Sequence, residues 1–212
     1  MRADVHLHGR ESEKERLRTA LDSVDERGAR LLVLGDPGIG KSSLVAAAAT
    51  LARGRGMAVL TTSGVPSEAH LPFAGLHQML RPVMKHADDL PASQRDSLLG
   101  ALGQADTDVD DPMSVALAAL NLVRDRAALG PLLLVAEDVH WLDRLTAEVL
   151  AFVARRIDAD PIVLAATSRG PVGEALGDVE FEELRLGPLE DDAGGAIIDA
   201  HAPGLDPTLR DR

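Results

Sequence analysis

The sequence predicts an α/β fold: a doubly wound, mostly parallel five-stranded sheet flanked by helices. Three observations carry that expectation. Short apolar runs of strand length recur along the chain and end in turns or charged residues. Segments with apolar residues at helical spacing separate them. The first run, "RLLVLG", feeds a glycine-rich corner, "GDPGIGKSSL", which in turn opens a helix.

Taken in order, "ESEKERLRTALDSV" sets Leu17, Leu21 and Val24 on one face of an amphipathic helix. "ARLLVLG" is a buried strand that ends at glycine. Leu44, Val45, Ala48 and Leu51 continue at helical spacing until Gly54 and Gly56, and "MAVLTTSG" is a second strand. Strand, helix, strand implies parallel pairing with both sheet faces covered. No comparable strand occurs from 73 to 128; the spacing there predicts helices over "FAGLHQMLRPVM", "SQRDSLLGALG" and "PMSVALAALNLVRDRAAL". Asp111 reads as an N-cap with Pro112 at the first helical position. "PLLLVAED" and "PIVLAATSR" are strands opened by proline, with "AEVLAFVARRI" as the helix between them. A weaker strand, "FEELRL", and a last helix, "EDDAGGAIIDAHA", follow.

With 212 residues, one domain of ordinary size accounts for nearly all of the chain. A net charge of −12 repels phosphate backbones and anionic membrane surfaces, so neither direct DNA binding nor a membrane partner is expected. The absence of cysteine excludes disulfides, thiolate metal sites and thiol catalysis. No apolar run reaches membrane-spanning length and the first residues lack a signal-peptide core, which together lead to the expectation of a cytoplasmic protein.

Gly35, Gly40, Lys41 and Ser42 satisfy G-x-x-x-x-G-K-[ST], the phosphate-binding loop of P-loop nucleoside triphosphatases. The chemistry requires those residue types. Glycines allow a tight turn whose N–H groups face inward, and the helix that follows adds its positive end. The backbone of Gly35, Asp36, Pro37, Gly38, Ile39 and Gly40, with Lys41, Ser42 and Ser43, is therefore the expected nucleotide cradle. Lys41 would reach the β and γ phosphates and Ser42 would ligate Mg²⁺. The acidic partners are expected at the end of "LLLVAED", with Glu137 on the metal side and Asp138 polarising the attacking water. A shift of one residue would give Asp138 the metal instead. In ATPases with an extra strand between these two motifs, a polar residue at that strand's tip senses the γ-phosphate. "AATSR" offers Thr167, Ser168 and Arg169, of which Arg169 can bridge phosphate oxygens bidentately. The guanine signature N/T-K-x-D is absent and the only asparagine, Asn121, falls in a predicted helix, so adenine is the expected base.

"LHGRESEKERLRTAL", "GDPGIGKSSL", "LPFAGLHQMLRPV", "EDVHWLDRLTAEVLAFVARRI", "LAATSR" and "LRLGPL" together resemble the N-terminal ATPase module of the large ATP-binding regulators of the LuxR family. These are signal-transduction ATPases with numerous domains, related to the AAA+ group. The resemblance implies an ATP- or ADP-operated switch with slow Mg-dependent hydrolysis, controlling a transcriptional regulator whose other domains bind DNA and inducer. It also implies that Gly9 and Arg10 match a G-R-E box packed near the adenine. Residues 1–190 are then the ATPase domain with its helical segment 73–128, and 191–212 the start of a truncated lid. Glu137 stands where many relatives carry Asp. Two other functions stay open: a non-catalytic interaction module plugged by nucleotide, and a small-molecule phosphotransferase.

Weaker signals have plainer readings. Arg155 and Arg156 end a helix at the place from which AAA+ relatives present an arginine finger, but basic residues also suit any helix C-terminus. Trp141, beside His140, reads as a loop anchor. "DTDVDD" begins like a calcium loop and fails it at Asp111 and Leu117, where glycine and glutamate are needed. His6 and His8 lack a third ligand. Self-association is left open by the composition.

Overall fold

The computed structural model describes residues 9–105, 111–172 and 174–188. Five strands, β1 (Ala29–Leu34), β2 (Ala58–Ser63), β3 (Leu132–Glu137), β4 (Ile162–Ser168) and β5 (Glu182–Arg185), form one sheet in the order β2-β3-β4-β1-β5. Every pairing is parallel. The helices are α1 (Glu11–Asp22), α2 (Lys41–Gly54), α3 (Ala74–Leu80), α4 (Ala92–Ala101), α5 (Pro112–Ala128), α6 (Arg144–Ala154) and the short α7 (Glu174–Gly177). The expected helix "EDDAGGAIIDAHA", together with His6, His8 and most of "DTDVDD", lies outside the described residues.

Alternation along the strands splits the core into two layers. Leu31 and Val33 of β1, Leu133 and Val135 of β3 and Val163 and Ala165 of β4 face α1 and α2. Their neighbours Leu32, Leu34, Leu132, Leu134, Ile162 and Leu164 face α3, α5 and α6. Both faces are covered, which is why these strands read as unbroken apolar runs. Full burial of each large side chain contributes about 1.5–3 kcal/mol.

Three local outcomes differ from the sequence pattern. The helix expected through Met84 stops at Leu80 and resumes as a 3₁₀ turn over Met84–Asp89. Pro82 is the cause: Arg81 before it is still helical, but Pro82 has no N–H to continue the hydrogen-bond ladder. A second 3₁₀ turn, Val139–Trp141, follows β3 directly. The helix expected to begin near Ala147 starts instead at Arg144, because Asp143 caps it.

Among the described residues, Asp143 is the most heavily used buried polar group. Its Oδ1 accepts the N–H of Phe73 and of Thr146, each at 2.9 Å. Its Oδ2 accepts the N–H of Gly75 at 3.2 Å and the hydroxyl of Thr146 at 2.6 Å. Thr146 Oγ1 in turn accepts the N–H of Leu76 at 2.9 Å. One carboxylate therefore caps α3 and α6 together and fastens the segment 73–80 to the loop that follows β3. Gln78 adds a second tie, its Oε1 accepting Thr62 Oγ1–H and Ser63 N–H at the end of β2, each at 3.0 Å.

Replacing Asp143 with Ala removes a cap and leaves buried N–H groups unpaired, so a loss of about 3 kcal/mol is expected in chemical denaturation. Asp111 caps α5 as the sequence predicts, accepting from Met113 N and Ser114 N at 3.0 and 3.1 Å. The Ser114 hydroxyl, then the Met113 N–H, hold its carboxyl below the usual value. A depressed folded pKa contributes stability above the unfolded value that is lost as pH falls through the folded one. Amide exchange at Met113 and Ser114, corrected for intrinsic rates, is therefore expected to lose protection in that acidic window in the wild type and not in Asp111→Asn.

Candidate functional site

Parallel register delivers the predicted residues to one edge of the sheet. Leu34 of β1 pairs with Ser168 of β4, and Ala136 of β3 pairs with Ala166 of β4. Gly35, Asp138 and Arg169 therefore leave their strands at nearly the same height. Because β4 lies between β1 and β3, the loop after β1 and the loop after β3 stand two strand spacings apart, about 9.5 Å. Loops at the carboxyl ends of a doubly wound sheet are where such folds bind ligands.

The loop after β1 has the backbone that its glycines allow. Gly38 and Gly40 have φ of 79° and 103°, a region that side chains with a Cβ rarely enter. Gly40 is the N-cap of α2, and no side chain among the described residues accepts from the first-turn N–H groups. Those groups and the helix dipole form an anion-binding end. Lys41 is buried, and its ammonium donates to the carbonyls of Gly35 at 2.8 Å and Asp36 at 3.0 Å. Ser42 lies exposed at the mouth.

A pocket of about 230 Å³ is lined by Pro37, Gly38, Gly40 and Lys41–Ser43 of this loop together with Asp138 and Arg169. A larger cavity of about 560 Å³ adjoins it, sharing Arg169 and adding Gly35 and Asp36. Glu137, the last residue of β3, lines neither. Asp138 is thus the carboxylate that shares a pocket with Lys41 and Ser42. These residues fit a magnesium-bound nucleotide: uncapped N–H groups and a lysine for phosphates, and a hydroxyl with a carboxylate for the cation. No three His, Cys, Asp or Glu among the described residues cluster to hold a metal by themselves.

Asp138 sits in left-handed geometry, φ 47° and ψ 50°, which is unusual without glycine. Its N–H donates to Thr167 Oγ1 at 2.9 Å, and its carbonyl accepts the N–H of Trp141 at 2.8 Å. Thr167, weighed in the sequence only as an alternative to Arg169, is fully buried and tethers the carboxylate loop to β4. His140 is the residue that the pattern undervalued. Its Nδ1 lies 3.4 Å from Ser168 Oγ, and its Nε2 is the one buried side-chain nitrogen or oxygen without a partner among the described residues. Burial lowers its pKa most; Asp138 opposes this, while Arg169 and Lys41 add to it.

Arg10 is buried and joins three parts of the chain, donating to Gly187 O at 2.6 Å and Ile39 O at 3.3 Å while pairing with Glu13 at 3.3 Å. Gly9 precedes it with φ 71°. The structure thus brings the G-R pair against the phosphate loop and the end of β5. Arg156 stacks 3.6 Å above the Phe152 ring, and Arg155 edges an apolar cleft between α5 and α6; neither lines the phosphate pocket. Trp141 is partly exposed on the loop surface, its ring centroid 5.3 Å from that of His140. Asp143 escaped the sequence reading, although "DRLT" carries a capping signal three residues before Thr146. No described helix is long and apolar enough to cross a membrane.

A model of the AAA ATPase domain matches residues 6–165. The uncharacterized protein R02095 of Rhizobium meliloti (strain 1021) is 27% identical over 234 residues, covering 93% of this chain and 22% of its own length. Among solved structures, Cdc6p from Pyrobaculum aerophilum aligns with a TM-score of 0.62 at 15% identity, over 93% of this chain and 50% of that one. AMPPCP-bound DnaA from Aquifex aeolicus aligns with a TM-score of 0.54 at 15% identity, over 96% of this chain and 55% of that one. The chain spans about half of each of these structures and under a quarter of the curated relative. At such identities the structural likeness is one of fold. The family match covers most of the chain, including both the phosphate loop and the carboxylates, and the chain therefore belongs to the AAA ATPase domain family.

Proposed function

We propose that this domain is an ATP-binding switch with slow Mg-dependent ATPase activity, working inside a larger LuxR-type transcriptional regulator. The observation that carries the nucleotide reading is the single pocket shared by the 37–43 loop, Asp138 and Arg169. The likeness in fold to a DnaA bound to the ATP analogue AMPPCP supports it. The regulator context rests on the order of sequence segments that resemble that family.

In this reading the N–H groups of the loop and of the first turn of α2 bind the β and γ phosphates. Lys41 exchanges the carbonyls of Gly35 and Asp36 for phosphate oxygens. Ser42 would hold Mg²⁺, whose chemistry is to neutralise charge building on the phosphates, with Asp138, the carboxylate of the same pocket, beside it and Glu137 reaching it only through water. Asp138 accepts the proton of the attacking water, and Arg169 contacts the terminal phosphate from the opposite loop. Gly9 and Arg10 set the wall beside the base. The acidic surface leaves DNA contacts to other domains of the regulator.

Thermal unfolding with Mg-ATP, Mg-ADP and Mg-GTP tests the pocket. Saturation at about a hundred times Kd is expected to add roughly 2.7 kcal/mol, a shift of several degrees, with adenine nucleotides and not with GTP. The shift is expected to vanish in Lys41→Ala, whose free form unfolds within a degree or two of wild type. No shift at millimolar nucleotide, or an undiminished one in Lys41→Ala, overturns the reading. Asp138→Asn is expected to keep binding and to lose about a hundredfold or more in hydrolysis. Equal rates in the two proteins would point to a nucleotide that acts only as a structural plug.

A further inference from the structure

The loop after β2 meets the loop that carries Asp138 at a single residue, Gly64. Ser63 of β2 pairs with Glu137 of β3, and Gly64 N–H extends that ladder by one step, donating to Glu137 O at 2.8 Å. Gly64 is buried there. A Cβ at this position would stand 2.4 Å from Asp138 O, 2.7 Å from the Trp141 carbonyl carbon and 2.7 Å from Leu142 N. All three atoms are backbone, so no rotamer change can make room, and glycine is what such a close approach of two main chains requires.

The 138–142 loop is thereby held from two sides. β3 lies between β2 and β4. On the β4 side Thr167 Oγ1 accepts the Asp138 N–H at 2.9 Å; on the β2 side Gly64 receives the Asp138 carbonyl closer than any side chain would permit. Between these two stops Asp138 keeps its left-handed geometry and lines the pocket with Lys41, Ser42 and Arg169. The end of β2 is itself pinned, because Gln78 Oε1 accepts both the Thr62 hydroxyl and the Ser63 N–H. A side chain at 64 therefore displaces the 138–142 loop rather than the strand.

We propose that Gly64 is a positioning residue for hydrolysis: by having no side chain it sets where the 138–142 loop lies, and so where the Asp138 carboxylate meets the attacking water. The proposal rests on the hydrolytic role given to Asp138 in the proposed function. Bringing a methyl group at 64 to ordinary contact distance moves the loop by about an ångström. Misplacement on that scale costs up to about a hundredfold in rate. The phosphate loop is spared, because it follows β1, on the far side of β4.

Single-turnover hydrolysis of Mg-ATP with protein in excess, and calorimetric binding of Mg-ADP, test this on wild type, Gly64→Ala, Asp138→Asn and the double variant. Gly64→Ala is expected to hydrolyse about tenfold to a hundredfold more slowly and to bind Mg-ADP within about twofold of wild type. In the Asp138→Asn background the same substitution is expected to change the residual rate by less than about twofold, since it acts through a carboxylate already removed. Loss of packing alone would not cancel in this way. Retained Mg-ADP binding also reports that Gly64→Ala is folded.

A wild-type rate in Gly64→Ala, a matching loss of Mg-ADP affinity, or a full further loss in the double variant would each overturn the proposal. Should Gly64→Ala not fold, amide exchange in the wild type decides. The Gly64 and Trp141 N–H groups are expected to share one level of protection, and a Gly64 amide that exchanges at the unprotected rate removes the seat. If wild type hydrolyses ATP and Asp138→Asn is slow while Gly64→Ala is not, only the role of Gly64 fails. If wild type does not hydrolyse ATP, or Asp138→Asn is equally fast, the hydrolytic reading fails and this inference with it.

Discussion

Everything that makes this site depends on the in-register parallel pairing of β1 with β4 and of β4 with β3. Each of these strands is buried on both faces, and a slip of one residue would turn every core side chain to the wrong layer. The hydrophobic layers therefore fix the register, and the register fixes the heights of the loops at the carboxyl edge. Lys41, Asp138 and Arg169 are far apart in sequence. They meet because three apolar strands can align in only one way.

Against that rigid edge the functional loops hold strained conformations. Asp138 is in left-handed geometry without being glycine, as is Phe73 at the start of α3. Such positions cost on the order of 1–3 kcal/mol each and persist only where neighbours over-determine them. At Asp138 the neighbours are Thr167 and Trp141; at Phe73 the neighbour is Asp143. The side chains that hold these two residues come from β4 and from the loop after β3, so the strain is borne by the same edge that makes the pocket.

The parts legible in the sequence share one property, that the signal is local. The inner strands β1, β3 and β4 showed as apolar runs because a doubly covered sheet leaves no face for polar residues, whereas the exposed edge strand β5 gave only a weak signal. The phosphate loop showed because its geometry demands glycine at fixed offsets, and the start of α5 because Asp111 and Pro112 are adjacent. The unread parts are those whose partners are remote. Two of Asp143's four hydrogen bonds come from the start of α3, some seventy residues away, and the other two from Thr146, which any exposed cap could also use. His140 gains significance only from Ser168, across the gap between two strands. The placement of α3 shows the converse error, in which apolar spacing was followed through Pro82 although a local breaker was in plain view.

The double cap at Asp143 has a thermodynamic side. A carboxylate that satisfies two helix starts cannot release one without weakening the other, so α3 and the first turn of α6 belong to one cooperative opening unit. The loop bearing Asp138 and His140 leads directly into that unit. The start of α3 and the pocket loop are thus joined through the short stretch from Asp138 to Asp143, and opening either one loads the other.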